Sequence, residues 1–186
     1  MGTTTFSGPV VSTAGFSSAT APTAAGAGIT DGTGTVLSTA ITKSGKVITT
    51  HIFVDVTGLQ SSTTDLDIIG SGASAAYLTR IDFTTMGQLF AATMTCVEAP
   101  LTGVTSVDLY SATEGTGVFD SGVAALTETI CITAGAAWTL NKTQTATPAT
   151  DIPVDDSYLY LTCGAAGTVG TYTAGQFLIE LYGYAA

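Results

Sequence analysis

The sequence predicts an all-β chain: a β-sandwich of jelly-roll or immunoglobulin-like topology, about nine strands, with an extended N-terminal arm. Three observations predict it. Lys, Arg, Glu and Gln, the long polar helix formers, are too few to coat the exposed faces of amphipathic helices, and only 10% of the 186 residues are charged. Thr, Val, Ile, Tyr and Phe are abundant and suit a pleated, half-buried surface. Short apolar runs recur along the chain, separated by glycine-rich turns rather than helices.

Taken in order, residues 1–44 form one block with Asp31 and Lys43 as its only charges and Phe6 and Phe16 as its only aromatics. No period of two or 3.6 persists there, and the block reads as an extended arm that orders against a neighbour, followed by a β-sandwich domain over residues 45–186. From Lys46 the texture changes. In KVITTHIFVDV the residues Ile48, Ile52, Val54 and Val56 share one face, opposite Val47, Thr49, His51, Phe53 and Asp55. Runs of the same kind follow at DLDIIG, AAYLTRIDF, QLFAATMTCVEA, VTSVDLYSA, VAALTETICIT, AAWTL, SYLYLTC and QFLIELYGY. The joints between them, such as GSGAS, TEGTG and CGAAGTVGT, carry turn chemistry. No repeat of 20–50 residues emerges, which argues against a solenoid or propeller.

Charge narrows the partners. A net charge of −10 repels a phosphate backbone, and no Arg/Lys stripe is present to release counterions, so no nucleic acid is expected. No run of about 18 apolar residues is present, and an anionic lipid surface is disfavoured, so no membrane is expected either. The first residues lack Lys or Arg ahead of an apolar stretch, so a secretory leader is not expected. Cys96, Cys131 and Cys163 are odd in number and widely spaced, and read as reduced, buried thiols.

The residues that carry chemistry are sparse. His51 is the one histidine and lies mid-strand, where a satisfied strand residue is the simpler reading than a base or ligand. With it and three scattered cysteines no zinc set assembles, and neither GSGAS nor DGTGT has the spacing of a phosphate loop. Asp65 and Asp67 share a strand parity and are expected to point the same way. Asp151, Asp155 and Asp156 gather in DIPVDD, where calcium ligation is weighed against turn capping, and turn capping is preferred. Asn141 in NKT fits a glycosylation sequon by chance. No catalytic residue, metal ligand or cofactor is assigned, and the chain is not expected to be an enzyme.

The opening TFSGPVVSTAGF, with Phe6, Ser7, Gly8, Pro9, Val10, Ser12, Gly15 and Phe16, resembles virion structural proteins of tailed bacteriophages of the marine and cyanophage type. The closing DDSYLYLTCGAAGTVGTYTAGQFLIELYGY is similar in style. The resemblance implies a capsid decoration or cement protein on the outer capsid surface of the virion, made in the host cytoplasm. Its partners would be the major capsid protein and further copies of itself, as a homotrimer. Phe6, Pro9, Val10, Val11 and Phe16 are the expected partner-binding residues: Pro9 resists helix, the valines can add as an edge strand and the phenylalanines can fill pockets. The alternative is a tail-fibre or surface module that grips host glycan through Trp138, Tyr158, Tyr160 and Tyr172.

Overall fold

Along KVITTHIFVDV, Ile48, Thr50, Ile52 and Val54 are buried and the residues between them are not, as in a strand with one face on a core. The computed structural model describes residues 24–147, 150–167 and 169–185. In it this run is β2 (Val47–Asp55), paired with β1 (Val36–Ser44) through nine consecutive positions. Gly45 and Lys46 join them. Gly45 has φ of +62°, which suits the first position of the type II′ turn that matches hairpin twist.

The other strands are β3 (Gln60–Ser61), β4 (Tyr77–Arg80), β5 (Gln88–Leu101), β6 (Val107–Ala112), β7 (Glu128–Ile132), β8 (Thr143–Thr145), β9 (Tyr158–Cys163), β10 (Gly170–Thr171) and β11 (Ala174–Tyr184). Two single helical turns, α1 (Ala27–Thr30) and α2 (Phe83–Met86), complete the regular structure with a 3-10 turn at Val123–Ala125. Asp82 caps α2 by accepting the Thr84 N–H at 2.8 Å. The chain is thus an all-β sandwich. A five-stranded sheet ordered β1-β2-β11-β5-β8 packs on a four-stranded sheet ordered β4-β9-β6-β7, and every pairing is antiparallel.

One core joins the sheets. The first contributes Ile52 and Val54 of β2, Phe177, Ile179 and Leu181 of β11, and Ala92, Met94 and Cys96 of β5. The second contributes Leu78, Leu109, Leu159 and Leu161. All six residues of β6 are buried, and five of the six in β9, because the far face of this sheet is also covered. Loop residues do the covering. The Tyr160 hydroxyl donates to the Glu114 carbonyl at 2.7 Å and accepts from the Gly117 N–H at 3.3 Å, tying residues 114–117 over β9. At one end Trp138 spans the layers: its indole N–H donates to the Val107 carbonyl of β6 at 2.7 Å while its ring meets Phe177 of β11 edge-on at 5.5 Å.

Several expectations change. The described residues hold eleven strands, two of them only two residues long, where about nine were expected. DLDIIG makes isolated bridges to Gly122, to Thr162 of β9 and to Gln60 of β3 rather than a regular strand, and AAWTL is a loop. Of the expected arm, residues 24–44 lie among the described residues and are part of the folded body. Ile29 is fully buried in the core and Val36–Ser44 is a sheet strand, so the folded body begins upstream of the expected boundary at 44/45. The signal was weak because Ser, Thr and Ala alternate with the apolar residues of β1, and an edge strand buries only part of either face.

Asp108 sets a pH dependence. It is buried on β6, and its carboxylate accepts the Ala134 N–H at 2.6 Å. Burial is the main cause that raises its pKa above the ordinary carboxylate value. A group whose pKa is raised on folding contributes stability below its unfolded pKa, and that contribution is lost as pH rises through the folded pKa. Asp108→Asn keeps an acceptor for Ala134 and removes the buried charge. Its melting temperature is therefore expected above that of the wild type at pH 7, with the gap closing as pH falls to about 4. A gap that widens on acidification would refute the assignment.

Candidate interaction surface

The five expected partner-binding residues Phe6, Pro9, Val10, Val11 and Phe16 lie outside the described residues. The chain after them is held where it meets the body. Gly26 N–H donates to the Tyr77 carbonyl at 2.9 Å and Gly28 N–H to the Ala75 carbonyl at 2.8 Å, so residues 26–28 run antiparallel along the outer side of β4.

Four of the five acidic residues singled out in the sequence, Asp67, Asp151, Asp155 and Asp156, have partners within the chain. Asp67 is buried and accepts the Ser62 hydroxyl at 2.7 Å, whereas Asp65 is exposed. They do not share a direction, because Leu66 between them has φ of +67° and breaks the extended run. Asp155 accepts the N–H groups of Phe83 at 2.9 Å and Asp156 at 3.1 Å, Asp156 pairs with Arg80, and Asp151 accepts the Thr147 N–H at 3.2 Å. Among the described residues no three His, Cys, Asp or Glu side chains gather as a metal set.

The aromatics proposed for glycan contact are mostly structural. Trp138, Tyr160 and Tyr172 are buried, and the Tyr172 hydroxyl donates to the Val104 carbonyl at 2.9 Å. Tyr158 is half-buried and stacks edge-on against Tyr77 at 4.9 Å. The cysteines are free and buried, and burial pushes the Cys131 thiol up to about 12 and the Cys163 thiol up to about 11. A thiol-specific chromogenic reagent at pH 8 is expected to find no reactive thiol in the native chain and all three once it is unfolded in guanidinium. Rapid labelling of the native protein would contradict the buried assignment.

The outward face of the five-stranded sheet is the broadest regular surface among the described residues. Its rows follow from the strand register: Val36, Asp55, Gln176 and Glu98; then Ser38, Phe53, Leu178 and Thr95; then Ala40, His51, Glu180 and Thr93; then Thr42, Thr49, Tyr182 and Ala91; then Ser44, Val47, Tyr184 and Gln88. His51 Nδ1 lies 3.2 Å from a Glu180 carboxylate oxygen, His51 Nε2 is 3.4 Å from the Thr42 hydroxyl, and the Tyr182 hydroxyl donates to Glu180 at 3.2 Å. Thr95 and Thr143 hydroxyls bond each other at 2.9 Å. Around this polar centre Val47, Phe90 and Tyr184 are exposed, and Lys46 sits over the Tyr184 ring at 5.2 Å. The middle of the face therefore presents hydroxyls, methyls and rings, with its acid tied to neighbours.

Sequence reading placed His51 and Phe53 on the outer side of β2 but did not join them to β11. The signal was present in QFLIELYGY, where Leu178 and Tyr182 are apolar on the side opposite the core residues. No helix among the described residues is long and apolar enough to cross a membrane. Comparison with protein-family models, with curated proteins and with solved structures returned no match.

Proposed function

We propose that this chain is a non-enzymatic structural component of a bacteriophage particle, a decoration or cement protein that binds the outer surface of the capsid shell and stabilises it. The major capsid protein is its partner. The observation that supports this reading best is the middle of the outer sheet face, where Thr hydroxyls, Phe53, Leu178, Tyr182 and His51 hydrogen-bonded to Glu180 lie between the Asp55–Glu98 row and the hairpin turn. In the middle of the face the one carboxylate, Glu180, accepts the Tyr182 hydroxyl and lies 3.2 Å from His51, so a covering protein meets mostly hydroxyls, methyls and rings there. The resemblance of TFSGPVVSTAGF to phage structural proteins supports the particle setting. A protein that binds the assembled shell and not its free subunits adds its binding free energy to the shell alone.

Removal of residues 1–20 is expected to abolish attachment to purified shells, read as copies per particle by quantitative gel densitometry. Full occupancy by the truncated chain would rule out an anchoring role for that segment. A copy number of a few per particle, rather than hundreds, would point away from the shell. The glycan reading has no observation in its favour, since three of its four aromatics are interior.

A further inference from the structure

We propose that β1 is a self-pairing edge: two copies of this chain join through antiparallel β1–β1 contact about a two-fold axis at Ala40, merging their five-stranded sheets into one. This stands apart from the particle reading.

Open edges invite pairing, and folded proteins blunt them by shortness, charge, bulges or cover. Three of the four edges of this sandwich are blunted. β8 is three residues long. β7 carries Glu128 and slips register against β6 between Leu109 and Tyr110. β4 is four residues long, and residues 26–28 run along its outer side. β1 differs from all of them. It is nine residues long, pairs with β2 without a register shift, and contains no proline and one charge, Lys43.

The hairpin decides which backbone groups face outward. A two-residue turn makes its closing residues, Ser44 and Val47, a hydrogen-bonded pair, so the even residues of β1 bond β2. The N–H and C=O groups of Leu37, Thr39, Ile41 and Lys43 then point to the side where, among the described residues, no strand pairs. Antiparallel pairing centred on Ala40 sets Leu37 against Lys43 of the second copy and Thr39 against Ile41. All four residues find partners, and the whole strand is used. Leu37 and Ile41, only partly buried in one copy, gain cover.

Charge fits the same arrangement. The turn end of the hairpin carries Lys43 and Lys46, two of the four basic residues, and the far end carries Asp55 opposite Val36. Antiparallel pairing brings the basic end of one copy to the acidic end of the other. In a chain of net charge −10 this edge meets its copy with opposite charges facing. A closed trimer through β1 would need a second, different edge to receive it, and the remaining edges are short, shifted or covered. The proposal is therefore a two-fold pair, where the sequence expectation was a trimer.

Analytical ultracentrifugation of the full chain over a concentration series tests this. The wild type is expected to move from one chain to two, each of 18.6 kDa. Ala40 is exposed on the outward face, so Ala40→Lys and Ala40→Glu are expected to leave the single chain folded, with unchanged Trp138 emission and, at concentrations where the wild type is one chain, the same melting temperature. Each variant alone sets like charges against each other at the axis and is expected to self-associate about tenfold more weakly or worse. An equal mixture of the two is expected to restore the two-chain species, a readout that a small loss of stability does not mimic. Thr39→Pro removes an outward N–H and no bond to β2, and is likewise expected to stay monomeric. A wild type that remains one chain at the highest concentration, a three-chain species, or pairing that survives Ala40→Lys would each overturn the proposal. So would association that appears only after residues 1–23 are deleted, because that segment would then be the occupant of the edge.

Discussion

Trp138→Ala is expected to lower stability by about 3–5 kcal/mol, the range for removing a large buried aromatic. In a chain of this size that corresponds to a melting temperature lower by on the order of 10 °C, measured by circular dichroism. Three losses coincide. The ring leaves a cavity beside Phe177, the Val107 carbonyl loses its indole donor, and Lys142 loses the ring 5.1 Å beneath its ammonium. Lys142 also donates to the carbonyls of Ala134 at 2.6 Å and Ala136 at 2.9 Å, so the loop over this end of the sandwich is organised from the same point. Trp138→Phe separates the contributions: it keeps most of the packing and strands the carbonyl, for an expected loss of about 1–3 kcal/mol. Equal, small losses for both variants would show that Trp138 does not bridge the sheets.

Gly58→Ala is the second large effect. Gly58 has φ of +85°, and a Cβ there would run into the backbone of Thr33. The conformation alone costs about 1–3 kcal/mol for a residue with a side chain, and Thr33 must move as well. Its neighbours fix what is released: Gly58 N–H donates to the Tyr172 carbonyl at 2.9 Å, and the Thr35 hydroxyl donates to the Thr57 carbonyl at 2.8 Å. The expected result is a lower melting temperature with faster amide exchange at residues 27–36. Gly45→Ala is the control, since Gly45 also has positive φ, +62°, but meets no atom within 4 Å. Its loss is expected to be about 1 kcal/mol. Equal losses at both positions would mean that contact with Thr33 contributes nothing.

How far the sequence carries depends on burial contrast. In β2, β5 and β11 one face is core and the other is not, so alternation of Ile52 and Val54 with His51 and Phe53 shows in the letters. β6 and β9 were found as apolar runs, but the cover on their second face was not foreseen, because loop residues such as Gly117 and Ile68 supply it. β1 was missed for the opposite reason: Leu37 and Ile41 are partly buried, and Thr39 between them blurs the period. In AAWTL the burial of Trp138 comes from a loop crossing the end of the sandwich, which no short-range pattern encodes. Aromatic identity misled at Tyr160 and Tyr172, where the hydroxyl finds a carbonyl inside the protein. At the candidate surface, single strands were legible and their side-by-side register was not, since register depends on partners more than a hundred residues apart, such as His51 and Glu180.

β11 lies between β2 and β5, bonded to both. During synthesis, β1, β2 and β5 leave the ribosome with the middle of their sheet missing, and they wait for residues 174–184. At ordinary elongation rates that wait is on the order of ten seconds, during which Ile52, Val54, Met94 and Cys96 have nothing to close against. The nascent chain thus leaves these side chains uncovered until β11 emerges. In a polysome crowded with identical chains, the first β11 to arrive can come from a neighbour, so intertwined copies are the misassembly this topology has to avoid.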